Sequence, residues 1–293
     1  MFTQDKVKDV RSENGCLVGK TEDGALAVYA PSLTTFLNHV KVAYPTPKRA
    51  QESDCSKRRN FNYYDNYKDA MAVYSERPWD VIKFDQVDHT LVSPDSAGSA
   101  VYFDVTGDYL DVGRYLDGEP EQFGNAYLGN PRGLFITIYA SANAACGIPE
   151  ASLRRKQERI VALIDWLESN NIRTRLTVIN HNECCCVEVV VKEFHDPVDL
   201  APIAVTFHPD YLRRIVFRVK EYSDTWNSWY GSSLSHITVD PTGLSVSIPS
   251  NQGGYDGKID EVDAYFDKLI EDISKKIEEG DTLAIVGDTN DHA

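Results

Sequence analysis

Val262, Tyr265, Phe266, Leu269, Ile270, Ile273 and Ile277 fall at i, i+3, i+4, i+7, i+8, i+11 and i+15, the spacing that gathers apolar side chains on one side of an α-helix. The stripe predicts a long helix ended by Gly280 and followed by a strand at Thr282–Val286. A shorter stripe, Ile160, Leu163, Ile164 and Leu167, predicts a helix capped by Ser152 and ended at Asn170-Asn171. Apolar strands at Leu134–Tyr139 and Arg173–Ile179 flank it. Residues 134–179 therefore read β-loop-α-β, the unit that builds a parallel crossover. Near the start, the runs Cys16–Val18 and Ala25–Tyr29, separated by a polar segment with Glu22-Asp23-Gly24, predict a hairpin. Leu33, Phe36, Leu37 and Val40 behind Ser32 predict a short helix that closes before Pro45 and Pro47. Tyr67, Ala70, Met71 and Tyr74 predict another, closed before Pro78. Further strands are expected at Ala100–Val105, Cys186–Phe194, Ile203–Phe207, Ile215–Val219, Ile237–Val239 and Leu244–Ile248, while 46–66 and the Gly-rich 117–133 have loop composition.

These elements make an α/β or α+β protein: a mixed β-sheet flanked by amphipathic helices, with an N-terminal β-hairpin elaboration. Residues 1–99 hold the hairpin, the short helices and a basic aromatic loop, and 100–293 form the main α/β body, the whole folding as one compact unit. Composition fits, since 42% hydrophobic and 26% charged residues in a 293-residue chain exclude fibrous and wholly disordered classes. No run approaches the ~18 apolar residues of a membrane span, and the first residues lack the order of a signal peptide. A cytoplasmic protein with no membrane partner is expected.

Six cysteines include the run Cys184-Cys185-Cys186, in which an extended chain sends the middle side chain to the opposite face, so reduced structural thiols are expected. With no C-x-x-C and only His181, Glu183 and Cys184 as clustered ligand-type residues, a four-ligand metal site cannot be assembled, and neither metal nor cofactor is expected. Gly15 to Thr21 imitates a phosphate loop, but three residues separate its glycines where four are needed, and Thr21 leads into a turn and a strand where a helix should open. Ser141 is not in a Gly-x-Ser-x-Gly elbow, and Pro209-Asp210 ahead of basic residues lacks the acidic-x-Lys element of a nuclease. The reading is non-enzymatic.

Charge adds a more specific lead. The net charge is −15, but 11 acidic and 4 basic residues from Lys258 onward account for −7 of it. Elsewhere the segment 46–66 concentrates Lys48, Arg49, Lys57, Arg58 and Arg59, interleaved with Phe61, Tyr63, Tyr64 and then Tyr67. Cations that track phosphates beside rings that stack on unpaired bases are what single-stranded nucleic-acid binding requires. Arg213, Arg214 and Arg218, and the Arg154 to Arg159 cluster, extend such a track. The alternative is a solvated loop with locally packed tyrosines and a basic cluster forming the wet face of its helix.

Two resemblances bear on these residues. The stretch Tyr139-Ala140-Ser141-Ala142-Asn143 ends the first strand of 134–179 and resembles the Asp-x-Ser-x-Ser element that opens a von Willebrand A domain. Tyr139 replaces the first acidic ligand, which puts a metal-dependent adhesion site in doubt. That likeness implies a protein-interaction module with a degenerate core, using a rim near Ser141 and Asp288. Tyr67-Lys68-Asp69-Ala70, Asp104-Val105-Thr106-Gly107, the run Asp111 to Pro120 and His208-Pro209-Asp210-Tyr211-Leu212-Arg213-Arg214 resemble motifs in tailed-phage proteins of unknown function. The chain also looks like the early single-stranded-DNA-binding accessory proteins of podophages that carry their own RNA polymerases. This second likeness implies single-stranded DNA as partner, with phage RNA polymerase or replication proteins beside it and a homo-oligomer compatible. The acidic C-terminal region would then discourage nonspecific polyanion binding or dock onto polymerase partners, while a solvated helix face explains it without function.

Overall fold

The computed structural model describes residues 7–45, 67–76, 100–104, 109–110, 123–127, 134–144, 148, 150–170, 172–182, 184–208, 210–226, 245–249, 259–279 and 284–286. The expected strand at 237–239 lies outside them. Its elements are β1 (Val7–Glu13), β2 (Cys16–Thr21), β3 (Leu26–Ala30), α1 (Leu33–Ala43), α2 (Tyr67–Glu76), β4 (Ala100–Asp104), β5 (Tyr109–Leu110), β6 (Phe123–Tyr127) and β7 (Leu134–Ser141). They continue with α3 (Glu150–Ser169), β8 (Ile172–His181), β9 (Cys185–Lys192), α4 (Leu200–Phe207), a π-helical turn (Tyr211–Val216) running into α5 (Phe217–Lys220), β10 (Ser245–Ile248), α6 (Ile259–Glu279) and β11 (Ala284–Val286).

Eight strands form one mixed sheet in the order β1-β2-β3-β9-β8-β7-β10-β11, and β4-β6-β5 form a separate small one. The mixed α/β architecture expected from the sequence is present, and the 134–179 unit is β7-α3-β8 with its two strands parallel. β2 and β3 form the expected hairpin, with Gly24 at positive φ in its turn. β1 adds an outer strand that the sequence reading missed; Val-Lys-Asp-Val-Arg-Ser-Glu is too polar to stand out as a strand. Its pairing with β2 slips between Lys8 and Arg11, where Asp9 takes φ 54°. Gly19 fits beneath because a Cβ there would lie 2.5 Å from Val7 Cγ1 and 2.8 Å from the Lys8 carbonyl oxygen. β3 pairs parallel with β9, so the N-terminal elaboration extends the main sheet.

Two expected strands are corrected. Ile203–Phe207 belongs to α4, and Ile215–Val219 straddles the π-helical turn and α5. Both are short apolar runs whose β-branched residues suit a buried helix as well as a strand. Asp199 decides the first by capping, its carboxylate accepting from the Ala201 N–H, with Pro202 tolerated in the first turn.

The helices cover one face of the sheet. Cross-strand partners share a face, so Val28, Val187, Val178, Ala140 and Ile248 lie on the same side through the pairs β3–β9, β9–β8, β8–β7 and β7–β10. α1, α2 and the π-helical turn pack over β2, β3 and β9, burying Phe36, Leu37, Met71 and Tyr211. α3, α4 and α6 pack over β8, β7 and β10 through Ile160, Leu163, Ile164, Phe207, Phe266 and Leu269. The two helical stripes read from the sequence are thus the two sides of one core.

The basic residues of α3 are not its wet face. Arg155 donates from Nε and Nη2 to the two carboxylate oxygens of Asp263 at 2.7 and 3.1 Å, and the buried Arg159 pairs with Asp267. Part of the acidic C-terminal stretch therefore neutralises α3 from α6, within the fold. The Asp263 pairing, with a hydrogen bond to Glu158 beside it, raises the Arg155 pKa above its ordinary value. The fork-to-fork geometry is the stronger form of ion pair, yet both partners keep some solvent contact. Arg155→Ala is expected to cost about 1 kcal/mol in urea unfolding, with the loss shrinking as salt is raised.

Candidate functional site

β8, β7, β10 and β11 run parallel, and their connections diverge: β7 leads through α3 to β8 on one side, and β10 leads through α6 to β11 on the other. The reversal lies between β7 and β10. Both connecting helices lie on the same face of the sheet there, packed against each other.

Lys156 occupies that point. The α3 stripe places residue 156 one turn before Ile160, on the inward side of the helix and level with the sheet edge. Its ammonium donates to the carbonyl oxygen of Ser141 at 2.7 Å and to that of Pro249 at 2.6 Å, bridging the ends of β7 and β10. Lys156 is 4% exposed, and burial pulls its pKa down to about 7.

Asn143 ties the loop after β7 to the end of β8. Its Nδ2 donates to the His181 carbonyl oxygen at 2.7 Å, its Oδ1 accepts from Asn180 Nδ2 at 3.1 Å, and its backbone N–H donates to Ser141 Oγ at 3.3 Å. Both asparagines are buried, so this polar bracket is fixed by its own hydrogen bonds. Tyr139, where the von Willebrand A likeness would want a carboxylate, is buried too.

On the other face of the same edge, β8 and β9 bring three ligand-type side chains together. Asn182 makes the turn, its Oδ1 accepting from the N–H groups of Cys184 and Cys185 at 3.0 Å each. The resulting register sets His181 opposite Cys186 and Ile179 opposite Glu188, which puts His181, Cys186 and Glu188 on one face. His181 Nε2 lies 2.7 Å from Cys186 Sγ and 3.1 Å from Glu188 Oε1, and the last two atoms are 3.9 Å apart. Burial, then the Glu188 carboxylate, pushes the Cys186 thiol well above its ordinary pKa. Cys185 points into the helical core, as strand alternation requires, and Cys16, Cys184, Cys185 and Cys186 are all free thiols.

Of the residues read as a nucleic-acid track, Tyr67, Arg213, Arg214 and Arg218 fall among the described residues. Lys48, Arg49, Lys57, Arg58, Arg59, Phe61, Tyr63 and Tyr64 lie outside the described residues, as does Asp288. Three others are buried within the fold. Tyr67 is buried at the start of α2 with the Arg218 guanidinium 4.2 Å from its ring centroid. Arg214 and Arg218 are buried as well, Arg214 Nε lying 3.9 Å from Asp210 Oδ1 and Arg218 Nε 3.9 Å from Glu221 Oε2. Helical winding causes this, since residues four apart share a face that here turns to the core. Arg213 alone of the three arginines stays partly exposed.

The sequence reading places Lys156 only within a basic cluster at a helix start, and it does not foresee the His181, Cys186 and Glu188 cluster. A hairpin register drawn through Asn182 would have found the cluster; nothing local separates Lys156 from its basic neighbours.

A profile of the family described as "Domain of unknown function (DUF7192)" matches residues 18–276. No curated protein and no solved structure matches the chain.

Proposed function

The chain belongs to the DUF7192 family, and we propose that it is a non-enzymatic protein-interaction module that receives an acidic partner at the carboxyl edge of β7, β8 and β10. One observation carries this reading: the buried Lys156 ammonium bridges the ends of β7 and β10 where the sheet connections reverse. The likeness of Tyr139 to Asn143 to the opening of a von Willebrand A domain points to the same edge. In that comparison a bound cation would hold a partner carboxylate. Here Tyr139 removes an acidic ligand, and Lys156 supplies an amine whose charged form a partner carboxylate would stabilise. An ammonium has three N–H donors. Two are given to carbonyl oxygens, and an anionic oxygen suits the third.

A catalytic role for the neighbouring thiol has less support. In a nucleophile-base-carboxylate relay the two partners hold opposite nitrogens of the imidazole. Here Cys186 and Glu188 face the same one.

Single-stranded DNA binding in phage transcription or replication is the competing proposal, and it now rests on the composition of residues 48–64 and the phage likeness. One experiment separates the two. Immobilised wild-type protein and Lys156→Met are used to capture partners from the source cells, with Mg²⁺ or with EDTA. In parallel, labelled single-stranded oligonucleotides are titrated by anisotropy at low and moderate salt. The expected result is a protein partner retained in EDTA and lost on Lys156→Met. Capture that needs Mg²⁺, or that Lys156→Met leaves unchanged, would overturn the Lys156 reading. Oligonucleotide binding that weakens steeply with salt and on Arg58→Ala/Tyr64→Ala would return the function to nucleic acid.

A further inference from the structure

We propose that His181, Cys186 and Glu188 form a three-ligand site for Zn²⁺ on the β8–β9 hairpin. The proposal stands apart from the partner reading, because it concerns the opposite face of the sheet edge and does not use Lys156.

Three observations carry it. The first is convergence: Nε2 of His181, Sγ of Cys186 and a carboxylate oxygen of Glu188 all lie within 4.8 Å of one another. Around a tetrahedral zinc, ligand atoms about 2.0–2.3 Å from the metal are roughly 3.3–3.7 Å from each other. The contacts of 2.7, 3.1 and 3.9 Å bracket that range, so side-chain shifts of under about 1 Å would admit the ion. The second is that thiol and carboxylate meet at a single imidazole nitrogen, as ligands do around a shared cation. The third is the backbone, since all three residues sit on paired strands whose register fixes them, and Asn143 holds the His181 carbonyl from behind.

Charge and donor type choose the metal. Thiolate, imidazole and carboxylate suit zinc, whereas Mg²⁺ and Ca²⁺ prefer all-oxygen shells. Zn²⁺ with one thiolate and one carboxylate is electrically neutral, which suits a cluster in which Glu188 is buried. Binding converts Cys186–SH to a zinc-bound thiolate and releases one proton to the buffer. The His181 side chain retains 12% exposure, giving an entry path, and three protein ligands leave a fourth position for water or a partner group.

The test uses the full chain, purified in chelator and then exchanged into buffer, with Co²⁺ as the spectroscopic probe. The wild type is expected to take one equivalent of Co²⁺ with a thiolate-to-cobalt charge-transfer band, to lose that band when Zn²⁺ is added, and to ignore Mg²⁺. Cys186→Ser should abolish the band. Cys184→Ser should keep it. Glu188→Gln, an isosteric change, should keep the band but weaken affinity by about tenfold or more. A folded wild type that shows no band at millimolar Co²⁺, or a band that survives Cys186→Ser, would overturn the site. If serine at 186 unsettles the sheet, Glu188→Gln still decides, because unchanged Co²⁺ affinity there is incompatible with carboxylate ligation.

Discussion

Asp210→Ala is expected to destabilise the protein by about 3–5 kcal/mol, the usual cost of removing one partner from a buried charge pair. In a chain of this size that corresponds to a fall in Tm of roughly 5–8 °C. Asp210 and Arg214 are both 0% exposed, one turn apart at the start of the π-helical segment. His208 closes the group, its Nδ1 lying 3.9 Å from Asp210 Oδ2 and accepting from the Asp210 backbone N–H at 3.2 Å. Deleting the carboxylate removes one counter-charge from a buried guanidinium and leaves a cavity beside it. The double change Asp210→Ala/Arg214→Met should recover a large part of the loss, because a buried pair replaced by apolar groups is often nearly neutral. Thermal and urea unfolding of the single and double variants checks both statements. A single variant as stable as wild type would show that this pair does not hold the helical layer.

Lys156→Met should abolish a pH dependence of stability with a slope of about 1.4 kcal/mol per pH unit between pH ~7 and ~10. Burial lowers the folded-state pKa of Lys156 to about 7, against 10.5 in the unfolded chain. Between those values the unfolded chain binds the proton and the folded one does not, so this lysine makes stability rise with pH across the window. Below it both states are charged and the contribution is flat at its minimum. Across the whole window the effect reaches several kcal/mol. Burial also raises the Cys185 thiol to about 11 and the Cys16 thiol to about 12. These act in the opposite sense above pH ~9, so the informative quantity is wild type minus variant in urea melts from about pH 6 to pH 10. Parallel curves for the two proteins would mean that Lys156 is no more basic in the unfolded chain than in the fold.

Much of this architecture is written locally. Ser32 caps α1, its Oγ accepting from the Thr35 N–H at 3.1 Å, and the stripe behind it packs as its spacing implies. The β7-α3-β8 unit and the long α6 follow in the same way from single periodicities. What local pattern cannot supply is the partner of a charged residue. Arg155, Lys156 and Arg159 sit together at the start of a helix and invite a solvated reading, yet two meet aspartates of α6 and the third meets two strand ends. Arg214 and Arg218 look like an exposed basic run for the same reason, with Asp210 and Glu221 close in sequence but matched only once helical winding sets the angles. The ligand cluster was half visible. His181, Glu183 and Cys184 stand close together in the sequence, but the antiparallel register selects Cys186 and Glu188 with His181.

The parallel pairing of β3 with β9 joins residues 26–30 to residues 185–189. On a ribosome adding about 5–20 residues per second, the N-terminal hairpin and α1 wait roughly 7–30 s before the strand they pack against has even been made. During that interval Val18, Val28, Phe36 and Leu37, all buried in the finished fold, lack the cover that β9 and the later helices supply. Closing so long a loop early is entropically unfavourable, so the first third of this protein is translated as an open debt to the second, and it is in the nascent chain that a chaperone has most to protect.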